Sequence, residues 1–427
     1  MKIIALALAA AALQAQAWDP GATLNKRLAE ETGKRFKLRF EFRNRLEART
    51  GNNFGRDVNL QNPLTRLRIG AEWKPVTWLK LSATGQDARA PFYGRVAPTS
   101  ARDTMDVQES YLEFLPDAKR GFGAMLGRQM ASFGEARLIG VPQWVNTART
   151  YDAVRIYYRL PRARLEFLML SLAKVRPDDY NRPGLGDRLW GMYNTFNNFI
   201  PKGLVETYVL RRDQNRPGGF TGVGTIGINT FGGRAVGPLP AGFKYNLEGA
   251  VQTGHVGPLA HRGLAWYSAV SRTISAKYPL DLSLEYKYAS GSKEPGLRSG
   301  TFDQLYAANH DKFGHADLFG WRNIHGFRSV DTLRIGKNLS LNFMYDNLWL
   351  VSARDSIYSL QGRPILRSVN GTAGRHVGHE ADLFAVRRWG AMQFGAGFAH
   401  LFKGEFLKNT TPGVNTRYMY IFQSYSF

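Results

Sequence analysis

Hydrophobic and charged residues alternate along this chain with a period of two. In the stretch FKLRFEFRNRLEAR, residues 36–49, every second side chain is charged, and the positions between are mainly Phe and Leu. The same alternation recurs at 65–73, 78–86, 149–160, 243–252 and 280–288. Successive side chains of a β-strand point to opposite faces, so the pattern predicts strands with one apolar and one ionic face.

The connections between these predicted strands fall into two length classes. Short ones containing proline lie near 74–77 and 161–163, and long ones lie at 87–106, 174–188, 290–330 and 352–378. Outer-membrane barrels have short periplasmic turns and long extracellular loops. A soluble β-sandwich would alternate as well, but no subset of these strands is apolar enough to fill its core. We therefore predict an all-β fold, a transmembrane antiparallel β-barrel of the bacterial outer membrane.

Chain length limits the number of strands. A membrane-spanning strand needs about 9–11 residues, and bacterial barrels use even strand counts. At roughly 22–25 residues for each strand with its connection, residues 18–427 form a single barrel domain of about 18 strands, with 16 as the alternative. A lumen of that size is too wide to be filled by wall side chains, so we expect a channel that loops can narrow.

The first 17 residues have the features of a secretory signal peptide. Lys2 precedes an apolar run at 3–13, and Ala15-Gln16-Ala17 is a small-x-small cleavage pattern. The alternative is an ordinary buried N-terminal helix. Export agrees with the absence of cysteine, which excludes disulfides and thiolate metal sites.

The charge balance predicts an acidic partner. The chain has 57 Lys and Arg against 34 Asp and Glu, a formal net charge of +23. Export and the even spread of the basic residues argue against nucleic acid, which leaves an anionic lipid surface or an anionic solute. The alternating strands then predict an ionic pore lining of Arg39, Arg43, Arg45, Arg66 and Arg68, interleaved with Glu41, Glu47, Glu109 and Glu113. The alternative is that these Arg and Glu rows only cross-link neighbouring strands.

The C-terminal sequence YMYIFQSYSF resembles the signal that the bacterial barrel-assembly machinery recognises. It ends on Phe427, and Tyr425 occupies the same predicted strand face. Gln423 departs from the usual apolar pattern. We predict that Phe427 and Tyr425 act in membrane insertion.

Four longer stretches, in this order, resemble the alginate-export family of outer-membrane porins. They are GRQMASFGEARLIGVPQWVNTARTYDAVRIYY (127–158), TFDQLYAANHDKFGHADLFGWRNIHGFR (301–328), VGHEADLFAVRRW (377–389) and FAHLFKGEFLK (398–408). The resemblance implies a monomeric barrel of 18 strands with an arginine-rich conduit for a polyuronate. It also implies that the pore lining includes Arg128, Arg137, Arg149, Asp152 and Arg155.

Two other kinds of site have weaker support. The segment NHDKFGHADLFGWRNIH contains His310, Asp311, His315, Asp317 and His325, but their spacing matches no metal-binding signature. A barrel hydrolase would need a nucleophile, and no serine near the available histidines has a recognisable nucleophile context. We predict no metal, no cofactor and no enzymatic activity.

The sequence thus favours a passive, anion-selective channel. Its arginines stay charged and offer a planar fork to a carboxylate, which suits export of an acidic polysaccharide such as alginate. The alternative is uptake of small organic or sugar acids, and a barrel enzyme is the remote third possibility. Expected partners are the anionic solute, the lipid bilayer with its lipopolysaccharide, the barrel-assembly machinery and a possible periplasmic export partner.

Overall fold

The computed structural model describes residues 19–56, 58–116, 120–215, 224–275, 277–310, 312–411 and 413–427. The predicted signal peptide, residues 1–17, lies outside these ranges. Within them, no helix is both long enough and apolar enough to cross a membrane.

Eighteen strands of the described chain form one closed antiparallel sheet. The sheet closes because β1 pairs with both β2 and β20. These strands are β1 (Phe36–Thr50), β2 (Leu60–Val76), β3 (Leu79–Arg89), β4 (Asp103–Phe114), β5 (Gly121–Gln129), β6 (Tyr151–Arg159), β7 (Ala163–Lys174), β8 (Arg182–Asn197), β9 (Leu204–Gln214), β10 (Ile226–Pro238), β11 (Phe243–Val256), β12 (Leu259–Ile274), β13 (Leu280–Ala289), β14 (Ile324–Ile335), β15 (Leu339–Leu350), β18 (His376–Trp389), β19 (Met392–Lys403) and β20 (Thr416–Ser426). The predicted barrel and its preferred strand number are confirmed.

The remaining elements are short. A hairpin of β16 (Ile357–Tyr358) and β17 (Pro364–Leu366) lies in the loop after β15. The helices are α1 (Pro20–Glu31) and α2 (Glu405–Thr410), with 3-10 turns at Asn52–Phe54, Pro91–Val96 and Pro240–Gly242.

Strand β1 shows how the period-two pattern builds the wall. Its Phe42 and Leu46 are exposed on the outer surface, whereas Arg43 and Arg45 between them are buried on the inner side. Lipid requires every backbone polar group to be paired, and the closed ladder supplies those pairs. The apolar face therefore meets the bilayer and the ionic face meets the lumen.

The two ends of the barrel differ in their connections. At the end that carries both chain termini, the turns are two to six residues long, as between β2 and β3 or β14 and β15. At the other end lie the long loops, of which 130–150, 290–323 and 351–375 are the longest; the two-residue turn 257–258 is an exception. By the usual asymmetry of such barrels, the long-loop end is extracellular.

The termini meet at the periplasmic end. Asn25 of α1 accepts a hydrogen bond from the Leu38 backbone N–H (2.8 Å) and donates one to its carbonyl (2.9 Å). Those backbone groups lie beyond the end of β20, so the Asn25 side chain completes the ladder there. Phe427 stacks on Phe40 with ring centroids 5.6 Å apart, and Tyr425 packs beside them. The role of Phe427 and Tyr425 in insertion remains a prediction.

Candidate functional site

Two loops fold into the barrel and meet across its lumen. We call residues 130–150 the first inward loop and residues 290–323 the second inward loop. Their backbones join directly, since Gly140 N–H donates to the Tyr306 carbonyl (3.0 Å) and Tyr306 N–H donates to the Leu138 carbonyl (2.8 Å). Trp144 of the first loop stacks on His310 of the second, with ring centroids 4.5 Å apart. Segments of these two loops therefore narrow the channel.

Wall arginines hold the first inward loop. Arg43 donates to the carbonyls of Gln143 (2.9 Å) and Val145 (3.1 Å), and Arg66 donates to the Val145 carbonyl at 2.9 Å. Arg45 donates to the Trp144 carbonyl and lies over the Trp144 ring. The three arginines are 3–7% exposed. All three belong to the predicted pore lining, and what they bind in the folded chain is loop backbone.

Carboxylates of the wall pair with several of these arginines. Glu41 accepts from Arg66 (2.7 Å) and from Arg68 (3.3 Å), and Glu47 pairs with Arg45 at 2.7 Å. Opposite charges a few ångströms apart at low exposure fix side-chain rotamers strongly. The cross-linking alternative for the Arg and Glu rows therefore describes this part of the wall well.

A buried ion pair anchors the second inward loop to strand β9. Arg212 donates to both carboxylate oxygens of Asp303, at 3.0 and 2.9 Å, and each residue is only 1% exposed. Arg322 lies 3.5 Å from the same carboxylate. Burial by itself raises the pKa of Asp303, but the guanidiniums of Arg212 and Arg322 outweigh it and hold that pKa below its ordinary value.

The tip of the second inward loop rests on two acids of β18. The Ala316 N–H donates to Glu380 Oε1 at 2.8 Å, and the His315 N–H donates to Asp382 Oδ2 at 3.1 Å. Gly314 has φ +91°, and a Cβ on it would lie 2.2 Å from Glu380 Oε1. Only glycine both adopts this backbone conformation at little cost and leaves room for the carboxylate.

Replacing Gly314 with Ala is therefore expected to displace the loop tip. The matched control is Gly296→Ala in the same loop, where φ is +101° but a Cβ would have no atom within 4 Å. Both variants incur backbone strain of about 1 kcal/mol, and only Gly314→Ala adds the contact with Glu380. We expect Gly314→Ala alone to raise single-channel conductance in planar bilayers. Equal conductance of the two variants would contradict the loop-tip contact.

The remaining predicted lumen residues lie nearer the periplasmic end or beside the inward loops. Arg39 donates to Ser82 (2.7 Å) and Thr84 (2.8 Å) and pairs with Glu109 at 3.5 Å. Glu113 accepts from Lys80 at 2.6 Å. These residues face the lumen in mixed-charge networks.

Arg137, Arg149 and Arg155 also lie on the lumen side. Arg155 pairs with Glu166 at 2.5 Å, and Arg137 lies 3.3 Å over the ring of Tyr267. Arg149 donates to carbonyls of both inward loops, including Gly140 at 3.1 Å. Binding of solute by any of these residues remains a prediction.

Arg128 and Asp152 are placed differently from the sequence prediction. They pair with each other across β5 and β6, with Nε and Oδ1 2.9 Å apart. Strand alternation puts Arg128 on the face of the exposed Phe122 and Asp152 on the face of the exposed Ile156. Both lie on the outer side of the wall, and we remove them from the lumen set. The error arose because both were assigned by resemblance, without the phase of their strands.

The histidine-rich segment is used for packing. His310 pairs with Asp317 at 2.8 Å, and His315 stacks on Phe384. His325 lies on the outer face of β14, and Asp311 lies outside the described residues. Among the residues that the structure describes, no group of three or more His, Cys, Asp or Glu is arranged to hold a metal ion.

Two adjacent cavities lie between the first inward loop and other long-loop segments, with Ser100, Val145 and Leu360 among the lining residues of both. The first, of about 450 Å³, has balanced charge, with Arg45 and Arg49 beside Glu47 and Asp317. The second, of about 460 Å³, is lined by three cations against one acid: Arg149, Lys174, Arg363 and Asp187. Because Asp187 is itself paired with Arg212, we call this second one the cationic cavity. Lys174 and Arg363 supply two of its three positive charges. The sequence did not predict either residue, because both lie outside the alternating Arg and Glu rows.

The family model described as Alginate export matches residues 30–420. A comparison with curated proteins found no match. Among solved structures, OpdK of Pseudomonas aeruginosa with vanillate is similar with a TM-score of 0.64 and 11% identity, covering 92% of this chain and 98% of that one.

Other channels of the same organism are similar to the same degree. OccK3 (OpdO) gives a TM-score of 0.62 at 11% identity over 92% of this chain and 95% of that one. OccK8 (OprE) gives 0.61 at 9% identity over 92% and 98%. At these identities the likeness concerns the fold. Together with the match over residues 30–420, the closed barrel of 18 strands shows that this chain belongs to the alginate-export family and is a channel of the bacterial outer membrane.

Proposed function

We propose that this channel passively conducts small carboxylic acids, such as sugar acids, through an anion-selective lumen. The observation that carries the proposal is the cationic cavity, where Arg149, Lys174 and Arg363 surround about 460 Å³ with only Asp187 as a counter-charge. Its volume is in the range typical of small-molecule sites, about 300–1,000 Å³. A carboxylate entering it meets fixed positive charge, which raises local anion concentration and excludes cations.

The inward loops favour small solutes over a polymer. They join each other inside the barrel through backbone hydrogen bonds and the contact of Trp144 with His310. An acidic polysaccharide would need a continuous wide path past this contact. A structural relative is known with vanillate, a small aromatic acid, which supports the same size class.

Export of an acidic polysaccharide is the second candidate. The match to the Alginate export family over residues 30–420 favours it. This function would require the two inward loops to separate, and the backbone hydrogen bonds that join Tyr306 to Leu138 and Gly140 oppose that separation.

Planar-bilayer recording separates the two proposals. Under a KCl gradient we expect the reversal potential to lie close to the equilibrium potential of chloride. When galacturonate replaces chloride, it should carry current. Oligomers of the same uronate should block the current without carrying it. A cation-selective reversal potential would overturn anion selectivity, and sustained current carried by the oligomers would favour the export function.

A further inference from the structure

Strands β8–β12 form an outer surface with a sharp upper limit to its apolar band. Backbone register aligns five outward side chains, one from each strand, that are 42–52% exposed. They are Met192, Val209, Phe231, Val251 and Leu264. An unbroken apolar row of this kind faces the hydrocarbon of the bilayer.

The next outward row toward the extracellular end is polar or amphipathic throughout. The same register aligns Trp190, Arg211, Asn229, Thr253 and Arg262. One row further up, Arg188 aligns with Asp213 and, across Gly227, with His255. Arg188, Arg262 and His255 are exposed. Three arginines and a histidine thus accompany one carboxylate where the apolar band ends.

Arg211 is held in position on this surface. Its Nε donates to Asp213 Oδ1 at 2.7 Å, and a second guanidinium nitrogen donates to Asn229 Oδ1 at 3.2 Å. Trp190 Nε1 donates to the other oxygen of Asp213 at 2.9 Å. The guanidinium is therefore turned toward the extracellular end of its strand, where lipid headgroups lie. A tryptophan at such a boundary is typical of a membrane interface.

We propose that Arg188, Arg211 and Arg262 form a binding site for the phosphorylated headgroup of lipopolysaccharide in the outer leaflet. Arginine binds phosphate through parallel hydrogen bonds, and three such groups against one carboxylate give the patch a net positive charge. Arg211 and Arg262 lie three strands apart, roughly 14 Å, so one headgroup with two phosphates can contact both. The residues face away from the lumen, and the site is independent of the solute conducted.

The test measures lipid retention by the full barrel. The protein is reconstituted in phosphatidylcholine nanodiscs containing bisphosphorylated lipid A, then extracted and examined by native mass spectrometry. The variant is Arg188→Gln with Arg211→Gln and Arg262→Gln. A matched control removes three positive charges near the periplasmic end, with Arg272→Gln, Lys277→Gln and Arg387→Gln. A further variant replaces the three patch arginines with Lys.

We expect one lipid A to be retained by the wild type and by the control. The glutamine variant should bind it about 100-fold more weakly, at roughly fivefold per arginine, and the lysine variant should be intermediate. Lipid A without phosphates should not be retained. Equal retention by wild type and glutamine variant would overturn the site. A protein dimer in the wild type that the glutamine variant lacks would also overturn the site, because the patch would then bind a second copy of the chain. Unchanged conductance of the glutamine variant separates this result from the proposed transport function.

Discussion

The variant Asp303→Asn is expected to raise single-channel conductance and its noise. Asp303 of the second inward loop neutralises the fully buried Arg212 of β9, and both residues are 1% exposed. Removing the Asp303 charge leaves the buried Arg212 with Asp187, 3.3 Å away, as its remaining carboxylate partner, so the cost should lie below the about 3–5 kcal/mol of a wholly unpaired buried charge. Asn keeps the size of the side chain, so the change isolates the charge. The loop should then leave its position for part of the time and widen the lumen.

The matched control for this variant is Asp178→Asn. Asp178 pairs with Arg102 at the surface of an extracellular loop, where an ion pair contributes only about 0–1 kcal/mol. The single-channel conductance of Asp178→Asn should equal that of the wild type. If Asp303→Asn also leaves conductance and thermal stability unchanged, the pair does not hold the loop in place.

The same pair predicts a pH dependence. Burial raises the pKa of Asp303, but Arg212 and Arg322 lower it by more. The ionised form of Asp303 therefore stabilises the docked loop. For a lowered folded-state pKa, this stabilisation is complete above the unfolded value, about 3.9, and is lost as pH falls through the folded value. Acidification from pH 7 to about 5 should therefore leave this anchor intact, and Asp303→Asn should raise single-channel conductance over the wild type by the same factor at both pH values.

The second large effect concerns ion selectivity. Changing Lys174 and Arg363 to Glu is expected to lower the anion-to-cation permeability ratio several-fold. The two changes turn the three cations of the cationic cavity into one, Arg149, beside two new acids. Charge within a confined, low-dielectric passage acts on ions more strongly than charge in bulk water.

The control applies the same charge change to the outer wall, with Arg188→Glu and Arg262→Glu. These side chains lie at the same end of the barrel but face away from the lumen. In bilayers without lipopolysaccharide the reversal potential of this control variant should match that of the wild type. An unchanged reversal potential for the cavity variant would exclude the cationic cavity from the conduction path, and an equal shift in both variants would point to a general surface-charge effect.

Local pattern determined most of the wall. In residues 36–49 the alternation assigned the inner face to the charged side chains, and β1 has that arrangement, with Arg43 and Arg45 inside and Phe42 and Leu46 outside. This works because the period of a strand is two and because the bilayer accepts only an apolar outer face. Chain length then gave the strand number, since each crossing uses a similar number of residues.

Tertiary structure decided what the inward arginines meet. A strand pattern shows that Arg43 points inward, but its carbonyl partner at Gln143 lies 100 residues away in a loop with no alternation. The same holds for Arg212 and Asp303, 91 residues apart. Arg128 and Asp152 face outward because register, and not residue type, sets the phase of β5 and β6. The sequence by itself determined a barrel with charged side chains on its inner face. The inward fold of two long loops decided which of those charges are already bound, because loop carbonyls occupy the guanidiniums of Arg43, Arg45 and Arg66.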